Sequence, residues 1–440
     1  MLTNTIAAIS TPLAEGAISI VRLSGPDALE IADKIIKKDV HALAPNTITL
    51  QTVVDETGAP VDQVLLSVFK GPRSYTGEDL LEINCHGGVY VTRKVLELVL
   101  SAGADLARPG EFTQRAFLNG RIDLTQAEAV EDMVEASNDN AVSLAVDGIR
   151  GSIKKLLDPL IDQLEQIIAQ IEVNIDYPEY EDVQELTDEL LVPMTDRFLA
   201  DIGRILSRAH TGQLAKSGIN TVILGRPNVG KSSLLNCLLE EDKAIVTDIP
   251  GTTRDIVEGR IRIRDLQLNL VDTAGIRETD DVVEKIGVEK SLQQAEKADL
   301  VIVMLDPVTG MTGQDTQLLE AVKNRTHIVV WNKSDLQPHD GLSISAARGE
   351  IEPLLEEICR LYDTSEVRSE PMMTNERQIG LLKQAESAMK RARQALNGYM
   401  EPDLVTIDMQ EAWRCLKEIL GEVSREDLLD MLFSRFCLGK

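Results

Sequence analysis

The sequence contains 440 residues, too many for one ordinary hydrophobic core, and predicts two to four domains. Its 45 basic and 72 acidic residues give a net charge of −27, which argues against a protein that wraps nucleic acid with its own surface or adsorbs to anionic lipid. Five scattered cysteines without a Cys-x-x-Cys pair, and no apolar run of about 20 residues, predict a protein of the reducing cytoplasm without membrane contact.

The first 121 residues alternate strand-like runs with helical stretches. Residues 17–23, 64–69 and 80–84 have the composition of short strands, whereas 91–100 has the apolar spacing of a helix. Turn sequences rich in glycine and proline separate these runs. The pattern predicts an N-terminal α+β domain over residues 1–121.

The remaining sequence changes character twice. From residue 124, apolar side chains recur at three- and four-residue spacing, as in amphipathic helices, and the same spacing returns near the C-terminus. The intervening segment alternates strands and helices. We therefore predict a mainly α-helical domain in two parts, 122–216 and 375–440, interrupted by an inserted α/β domain over 217–374. The acidity is concentrated in 122–216 (net −13) and 217–374 (net −10).

A glycine-rich segment at the start of the inserted domain has the spacing of a phosphate-binding loop. Residues 225–232, Gly-Arg-Pro-Asn-Val-Gly-Lys-Ser, directly follow the apolar run 221–224. The glycines allow backbone N–H groups to surround phosphate oxygens at a helix N-terminus, while a lysine would reach the outer phosphates and a serine would bind Mg²⁺. The alternative is a glycine-rich turn entering an ordinary helix. The residues assigned to the phosphates are Asn228, Val229, Gly230, Lys231, Ser232 and Ser233.

Three further motifs each follow a predicted strand. The motif at 272–275 would hold Mg²⁺ through water and contact the γ-phosphate, and the carboxylate of the motif at 332–335 can accept hydrogen bonds from N1–H and the 2-amino group of guanine. The motif at 345–347, after a predicted short strand at 342–344, would support the guanine O6. Ligand sites on parallel sheets lie at such strand ends, so the order predicts a guanine-nucleotide-binding domain. The residues concerned are Asp272, Thr273, Ala274, Gly275, Asn332, Lys333, Asp335, Ser345, Ala346 and Ala347.

Two positions depart from the signalling GTPases. Ile276 follows Gly275, where those proteins have a glutamine that orients the attacking water, so hydrolysis requires another water-positioning group. Asn228 places a carbonyl oxygen near the β- and γ-phosphates, where it could hold a monovalent cation in place of an arginine finger. A turn residue capping the loop is the alternative role for Asn228.

Several segments resemble the MnmE (TrmE) family of tRNA uridine-5-carboxymethylaminomethyl modification GTPases. These are residues 247–255, the asparagine-bearing phosphate loop and the terminal Phe-Cys-Leu-Gly-Lys at 436–440. The resemblance covers the whole chain, including 16–25, 74–88 and 108–130 near the N-terminus. It implies a folate-binding-like N-terminal domain that also dimerises, a helical domain and an inserted Ras-like P-loop GTPase domain.

The same resemblance implies that K⁺-dependent dimerisation of two GTPase domains activates hydrolysis. Thr253 would join Ser232 on Mg²⁺, and Glu284 would position the attacking water through a bridging water. A solvated helix charge is the alternative for Glu284. The implied K⁺ ligands are Asn228, Thr247, Ile249 (through its carbonyl) and Thr252. The switch residues assigned to GTP are Thr247, Asp248, Ile249, Pro250, Gly251, Thr252 and Thr253.

For the N-terminal domain, the family implies binding of 5-formyl- or 5,10-methylene-tetrahydrofolate as the one-carbon donor. The matching positions are Arg22, Glu82 and Arg121, and Lys440 would reach the same pocket from the partner subunit. A carboxylate suits the 2-amino and N3–H edge of a pterin, and arginines suit the anionic tail. A surface ion pair is the alternative for each residue.

The resemblance implies a homodimeric enzyme that acts with an FAD-dependent MnmG-type partner, in a heterotetramer, on C5 of the tRNA wobble uridine at position 34. The product is an aminomethyl or carboxymethylaminomethyl derivative. Cys437 is either a nucleophile for this modification or a buried small hydrophobe beside Phe433 and Phe436. The alternative function is a ribosome-assembly or translation GTPase that switches without modification chemistry of its own, although no basic RNA-binding module is visible.

Overall fold

The computed structural model describes residues 4–176, 188–241, 257–264, 266–271, 293–362, 371–398, 402–423, 426–434 and 436–439. The contacts divide the chain into two compact units. The first comprises Met1–Val134, Gly148–Thr195 and Gln384–Lys440, and the second comprises Glu135–Asp147 and Asp196–Lys383.

The described helices are distributed over both units, and α4, α5, α7 and α11 contribute residues to each. In chain order they are α1 (Ala28–Ile35), α2 (Val89–Ser101), α3 (Glu111–Leu118), α4 (Leu124–Glu135), α5 (Asp139–Ile149), α6 (Ser152–Asp176), α7 (Asp188–Ser217), α8 (Lys231–Glu241), α9 (Gly313–Val322), α10 (Glu352–Leu361), α11 (Glu376–Asn397), α12 (Pro402–Leu420) and α13 (Glu426–Phe433). None of these described helices is long and apolar enough to cross a membrane.

The first unit contains a six-stranded sheet. Its strands are β1 (Ile6–Ile9), β2 (Ile18–Ser24), β3 (Thr47–Val54), β4 (Pro60–Phe69), β5 (Leu80–His86) and β6 (Asp105–Leu106). They lie in the order β3-β4-β5-β2-β1-β6, and every neighbouring pair is antiparallel except β1 and β6. Since side chains alternate along a strand, one face carries the apolar core and the other carries polar groups.

The core face of this sheet is covered by α1 and α2. Leu23, Leu66 and Ile83 are fully buried there. On the opposite face, Arg22 is the direct cross-strand neighbour of Glu82. The alternation therefore places these two predicted site residues on the face that the core does not use.

The helical part of the first unit is built around α6, along which α12 packs. Leu157, Leu160, Leu164, Ile167 and Ile171 are all buried, as the three- and four-residue spacing predicts. Across the outer side of this pair, the Trp413 indole N–H donates to Glu165 at 2.9 Å.

The second unit contains a five-stranded sheet typical of α/β proteins. Its strands are β7 (Ile219–Leu224), β8 (Val257–Ile263), β9 (Leu266–Val271), β10 (Leu300–Leu305) and β11 (His327–Trp331). The order is β11-β10-β7-β9-β8, parallel except for the edge strand β8. β10 is buried along its whole length, as expected for an inner strand covered on both faces.

The predicted fold class is confirmed, with a correction at one element. The runs at 17–23, 64–69 and 80–84 lie in β2, β4 and β5, and the helical stretch from residue 124 is present. The short strand predicted at 342–344 is wrong, because the structure has only an isolated bridge between Trp331 and Ser343 there. Residues 342–344 lie between turns, and this short segment forms too few backbone hydrogen bonds with β11 to count as a strand.

Candidate functional site

The phosphate-loop motif forms a tight connection between β7 and α8. Gly225 has φ +156°, Asn228 +61° and Gly230 +101°. A Cβ atom at Gly225 would meet the Met304 carbonyl oxygen at 2.7 Å, and one at Gly230 would collide with the Asn332 amide. Glycine is therefore required at both positions for two reasons: a side chain would collide with neighbouring atoms, and the positive φ angle favours glycine.

The Lys231 side chain folds back onto the phosphate loop. Its Nζ donates to the carbonyl oxygens of Gly225 at 2.7 Å and Arg226 at 2.8 Å. Burial lowers the pKa of Lys231 below its ordinary value, and a bound anion would oppose that shift. Ser232 and Ser233 are exposed on the first turn of α8, beside the loop. The arrangement presents one ammonium and two hydroxyls where a phosphate chain would lie.

Asn332 connects three of the predicted motifs. It is buried, and its amide nitrogen donates to the Val229 carbonyl in the phosphate loop at 2.8 Å. Its amide oxygen accepts from the backbone N–H of Ala346 at 3.0 Å. The loop at 225–230, the motif at 332–335 and the motif at 345–347 therefore meet at one side chain.

The carboxylate predicted to read guanine is held in place. Ser345 is fully buried, and its hydroxyl donates to Oδ1 of Asp335 at 2.7 Å. The Arg348 guanidinium lies 3.7 Å from Oδ2 of the same carboxylate. Asp335 is half-buried, so its orientation is restricted while one edge stays accessible to a ligand.

Asp306, which follows β10, is not among the site residues predicted from the sequence. Its Oδ2 accepts from Nζ of Lys333 at 2.6 Å. Burial acts to raise the pKa of Asp306, but the hydrogen bonds from Lys333 and from the backbone N–H groups of Val308 and Thr309 lower it overall. Lys333 has φ +67° and is therefore held in a conformation that few residues other than glycine adopt. The sequence signal for Asp306 was an acidic residue directly after the apolar run 300–305, although its partner Lys333 could not be inferred from it.

The other predicted nucleotide and metal residues lie outside the described residues. Their assignments remain predictions. They are Thr247, Asp248, Ile249, Pro250, Gly251, Thr252, Thr253, Asp272, Thr273, Ala274, Gly275 and Glu284. In the described part of the chain, the side chain of Asn228 is exposed and makes no hydrogen bond to the loop, so its carbonyl oxygen is available.

A second group of predicted residues lies on the polar face of the first sheet. Arg22 donates from Nε at 3.0 Å and from Nη2 at 2.8 Å to Oε1 of Glu82. Both side chains are about four-fifths buried, at 19% and 21% exposure. The ion pair considered as the alternative role is therefore formed. It leaves Oε2 of Glu82 without a hydrogen-bond partner among the described residues.

Arg22 also contacts the C-terminal tail of its own chain. Nη1 donates to the carbonyl oxygen of Gly439 at 3.0 Å, and the Ser10 hydroxyl donates to the same oxygen at 3.0 Å. The guanidinium lies 5.9 Å from the centre of the Tyr75 ring and 5.6 Å from that of Phe112. The tail thus reaches this site within one chain as far as Gly439. Lys440 itself lies outside the described residues.

The remaining two candidates lie near this group. Arg121 is exposed, and a Cβ atom at Gly77 would lie 3.2 Å from its Cγ, so it borders the loop that carries Tyr75. Cys437 is exposed, and its carbonyl accepts from the N–H of Gly110 at 3.3 Å. The alternative of a buried small hydrophobe at Cys437 is wrong, because Phe436 fills the buried position instead.

Comparison with known protein families covers almost the whole chain. Residues 5–121 match the family described as "GTP-binding protein TrmE N-terminus", and residues 124–437 match "MnmE helical domain". The chain is 46% identical over 459 residues to the tRNA modification GTPase MnmE of Bacillus licheniformis, covering 99% of this chain and 100% of that protein. It is 46% identical over 458 residues to the protein of the same name from Bacillus subtilis, with the same coverage.

Similarity to solved structures is partial. A variant of Aquifex aeolicus Era bound to GDP and AlF4⁻ is 29% identical to this chain and has a TM-score of 0.27. The matched region covers 39% of this chain and 67% of the Era chain. The G domain of the Thermotoga maritima FeoB iron transporter is 29% identical over 33% of this chain and 98% of its own, with a TM-score of 0.23.

Proposed function

The chain belongs to the MnmE family of tRNA modification GTPases, as its sequence motifs predicted, and from this membership we propose that it hydrolyses GTP in the modification of C5 of the tRNA wobble uridine. The reaction would require an FAD-dependent MnmG-type partner and would give an aminomethyl or carboxymethylaminomethyl derivative at position 34. The observation that carries the GTPase part is the Asn332 side chain, which joins the phosphate loop to the Ala346 segment.

The geometry supports a division of roles for the nucleotide. Lys231 would exchange its two carbonyl partners for phosphate oxygens. The negative phosphates would then pair with the partly buried ammonium group. Asp335, oriented by Ser345, would accept from N1–H and the 2-amino group of guanine. Ser232 on the first turn of α8 would bind Mg²⁺ together with Thr253. The bound ion would neutralise charge on the phosphates.

The same proposal assigns the four segments different tasks. Residues 1–121 would bind the folate and dimerise, 122–216 and 375–440 would form the helical domain, and 217–374 would hydrolyse GTP. Dimerisation through the first segment is supported by three exposed aliphatic side chains on the polar face of its sheet. These are Ile48, Leu50 and Leu65, at 67%, 57% and 45% exposure. Aliphatic side chains grouped in this way typically contact another surface.

A strain that lacks this chain is expected to lose the aminomethyl-type group at C5 of its wobble uridines. Mass spectrometry of tRNA nucleosides from the deletion strain would measure the loss, and expression of the intact chain should restore the group. Restoration by a Lys231→Ala variant that no longer binds GTP would contradict the coupling to the GTPase. Unchanged uridines in the deletion strain would overturn the proposed function itself.

We further propose that K⁺ activates hydrolysis through Asn228, Thr247, Ile249 and Thr252. This role is supported by the exposed side chain of Asn228, which makes no hydrogen bond to the described residues of the phosphate loop. Replacing K⁺ by Na⁺ is expected to slow GTP turnover by roughly tenfold. This effect is smaller than the loss in rate when a charge-stabilising donor is removed completely, because Na⁺ still supplies a positive charge.

The matched control for the cation experiment is Asn228→Ala. In this variant GTP turnover should be slow in both salts, so that the ratio of the K⁺ and Na⁺ rates falls towards one. Equal rates for the unsubstituted protein in K⁺ and Na⁺ would argue against the assignment. Turnover is measured as released phosphate at equal ionic strength, because screening alone changes with salt concentration.

The first unit is proposed to bind 5-formyl- or 5,10-methylene-tetrahydrofolate. Oε2 of Glu82, which has no hydrogen-bond partner among the described residues, is suited to accept from the pterin 2-amino and N3–H groups, and Arg22 orients that carboxylate through Oε1. Arg121 and Lys440 would contact the anionic tail of the ligand. The exposed Cys437 would be accessible to the modification intermediate.

A further inference from the structure

Arg226, inside the phosphate loop, is held by residues of the segment that follows β10. Its Nε donates to Oδ1 of Asp315 at 2.8 Å, and its Nη2 donates to the Thr309 hydroxyl and the Gly310 carbonyl, both at 3.0 Å. Asp315 is completely buried, and Oδ2 accepts from the backbone N–H of Thr312 at 2.9 Å and from its hydroxyl at 2.8 Å. We call these five residues the Arg226 network.

The arginine is not needed to cap α9, in whose first turn Asp315 lies. Thr312 and Asp315 already form a complete capping box at the N-terminus of α9, which accounts for the acid at this position. A buried carboxylate is costly unless it is paired, and the guanidinium supplies the pair. The additional effect of the ion pair is to join the phosphate loop to the start of α9.

The main chain of Arg226 belongs to the part of the site that would bind phosphates. Its carbonyl oxygen accepts from Nζ of Lys231 at 2.8 Å, so the residue whose side chain is held by α9 also holds the lysine. At the other end of the same segment, Asp306 binds Lys333 of the guanine motif at 2.6 Å. Residues 306–315 are therefore attached to both the phosphate loop and the base-binding motif.

We propose that Arg226 is a positioning residue for nucleotide binding, which sets the phosphate loop and Lys231 at the correct distance from the base-binding motif. The proposal rests on the proposed function, because it assumes that this site binds a guanine nucleotide. It requires no contact between the Arg226 side chain and the nucleotide. It predicts that binding depends on an ion pair that lies behind the loop.

The test uses the full chain and a double variant, Arg226→Gln with Asp315→Asn. This variant removes the ion pair without leaving a buried charge, and the asparagine can still cap Thr312. We expect the Kd for GDP to rise about tenfold, as for a site whose supporting residues are loosened. The ratio of the IDP and GDP dissociation constants should not change, because Asp335, oriented by Ser345, still accepts from the 2-amino group of the base.

The matched control is the exposed ion pair of Arg264 and Glu352, whose side chains are 3.2 Å apart in the same unit. Arg264→Gln with Glu352→Gln should leave the Kd for GDP within about twofold, because exposed pairs contribute little. A double variant of the Arg226 network that binds GDP as tightly as the unsubstituted chain would overturn the proposal. A changed ratio of IDP to GDP affinity would also overturn it, since the effect would then not be confined to the phosphate loop.

Arg226→Lys keeps the proposal testable if the double variant does not fold. Lysine retains the charge beside Asp315 but cannot form the fork to Thr309 and Gly310, so the Kd for GDP should rise about threefold with little change in the melting temperature of the nucleotide-free chain. A lower melting temperature with unchanged GDP affinity would show a purely structural role and reject the proposal. Absence of GDP binding by the unsubstituted chain would instead reject the proposed function.

Discussion

Glu284→Ala is expected to remove most of the GTP hydrolysis activity while GTP binding is preserved. The residue after Gly275 is Ile276, whose side chain cannot orient a water molecule, so the attacking water needs a polar group from elsewhere in the chain. We propose Glu284 for that role, acting through a bridging water, as the resemblance to the MnmE family implies. Loss of a group that positions or deprotonates a nucleophile costs about 10²–10⁴-fold in rate, and kcat should fall by that factor.

The variant is measured by single-turnover GTP hydrolysis in K⁺ and by the Kd for a non-hydrolysable GTP analogue. Glu296→Ala is a suitable control, because Glu296 is an exposed carboxylate in the same unit with no assigned role. It should change neither quantity by more than about twofold. Near-normal turnover in Glu284→Ala would reject the assignment, and a large loss of analogue affinity would indicate a role in binding instead.

The fold of the second unit could be predicted from the sequence because its signals are local. The phosphate loop directly follows the apolar strand β7, and the motif at 332–335 directly follows β11, so each motif marks the end of a strand within one short window. The segment at 342–344 could not be assigned correctly by the same means. Whether three residues form a strand depends on a neighbour in space, and here only Trp331 pairs with Ser343.

The partners of the site residues were harder to predict, because they are distant in sequence. Arg226 and Asp315 are 89 positions apart, and Lys333 meets Asp306 across the ends of β10 and β11. A single sequence assigns a lysine in this motif to the nucleotide, but it contains no signal that the lysine also binds a buried acid. These contacts follow from the order of strands in the sheet, which the motifs alone do not specify.

The same limit applies to the first unit. The resemblance assigns Glu82 to the pterin edge and Arg22 to the anionic tail, which are separate parts of the ligand. The antiparallel register of β2 and β5 makes them direct neighbours, and the ion pair follows from that register. We therefore expect Arg22 to act on the ligand through the carboxylate that it orients.

Glu82→Gln is expected to weaken binding of 5-formyl-tetrahydrofolate by about 10²-fold, since hydrogen bonds to a charged acceptor contribute more than neutral ones. The ligand edge presents two donors, the 2-amino group and N3–H. Glutamine replaces one accepting oxygen by an NH2 group, so either that group faces the two donors or the amide turns and loses its bond from Arg22. Titration calorimetry with the full chain would measure the affinity.

Two further variants distinguish binding by Glu82 from a loss of stability. Arg22→Gln should weaken the ligand by a smaller factor, about tenfold, because the carboxylate remains but is no longer oriented by a charged donor. Glu97→Gln, at an exposed position on α2 in the same unit, should leave the affinity unchanged. If Glu82→Gln and the unsubstituted chain bind the folate equally well, Glu82 does not contact the pterin. The Arg22–Glu82 pair would then serve to hold Gly439 and the C-terminal tail against the sheet.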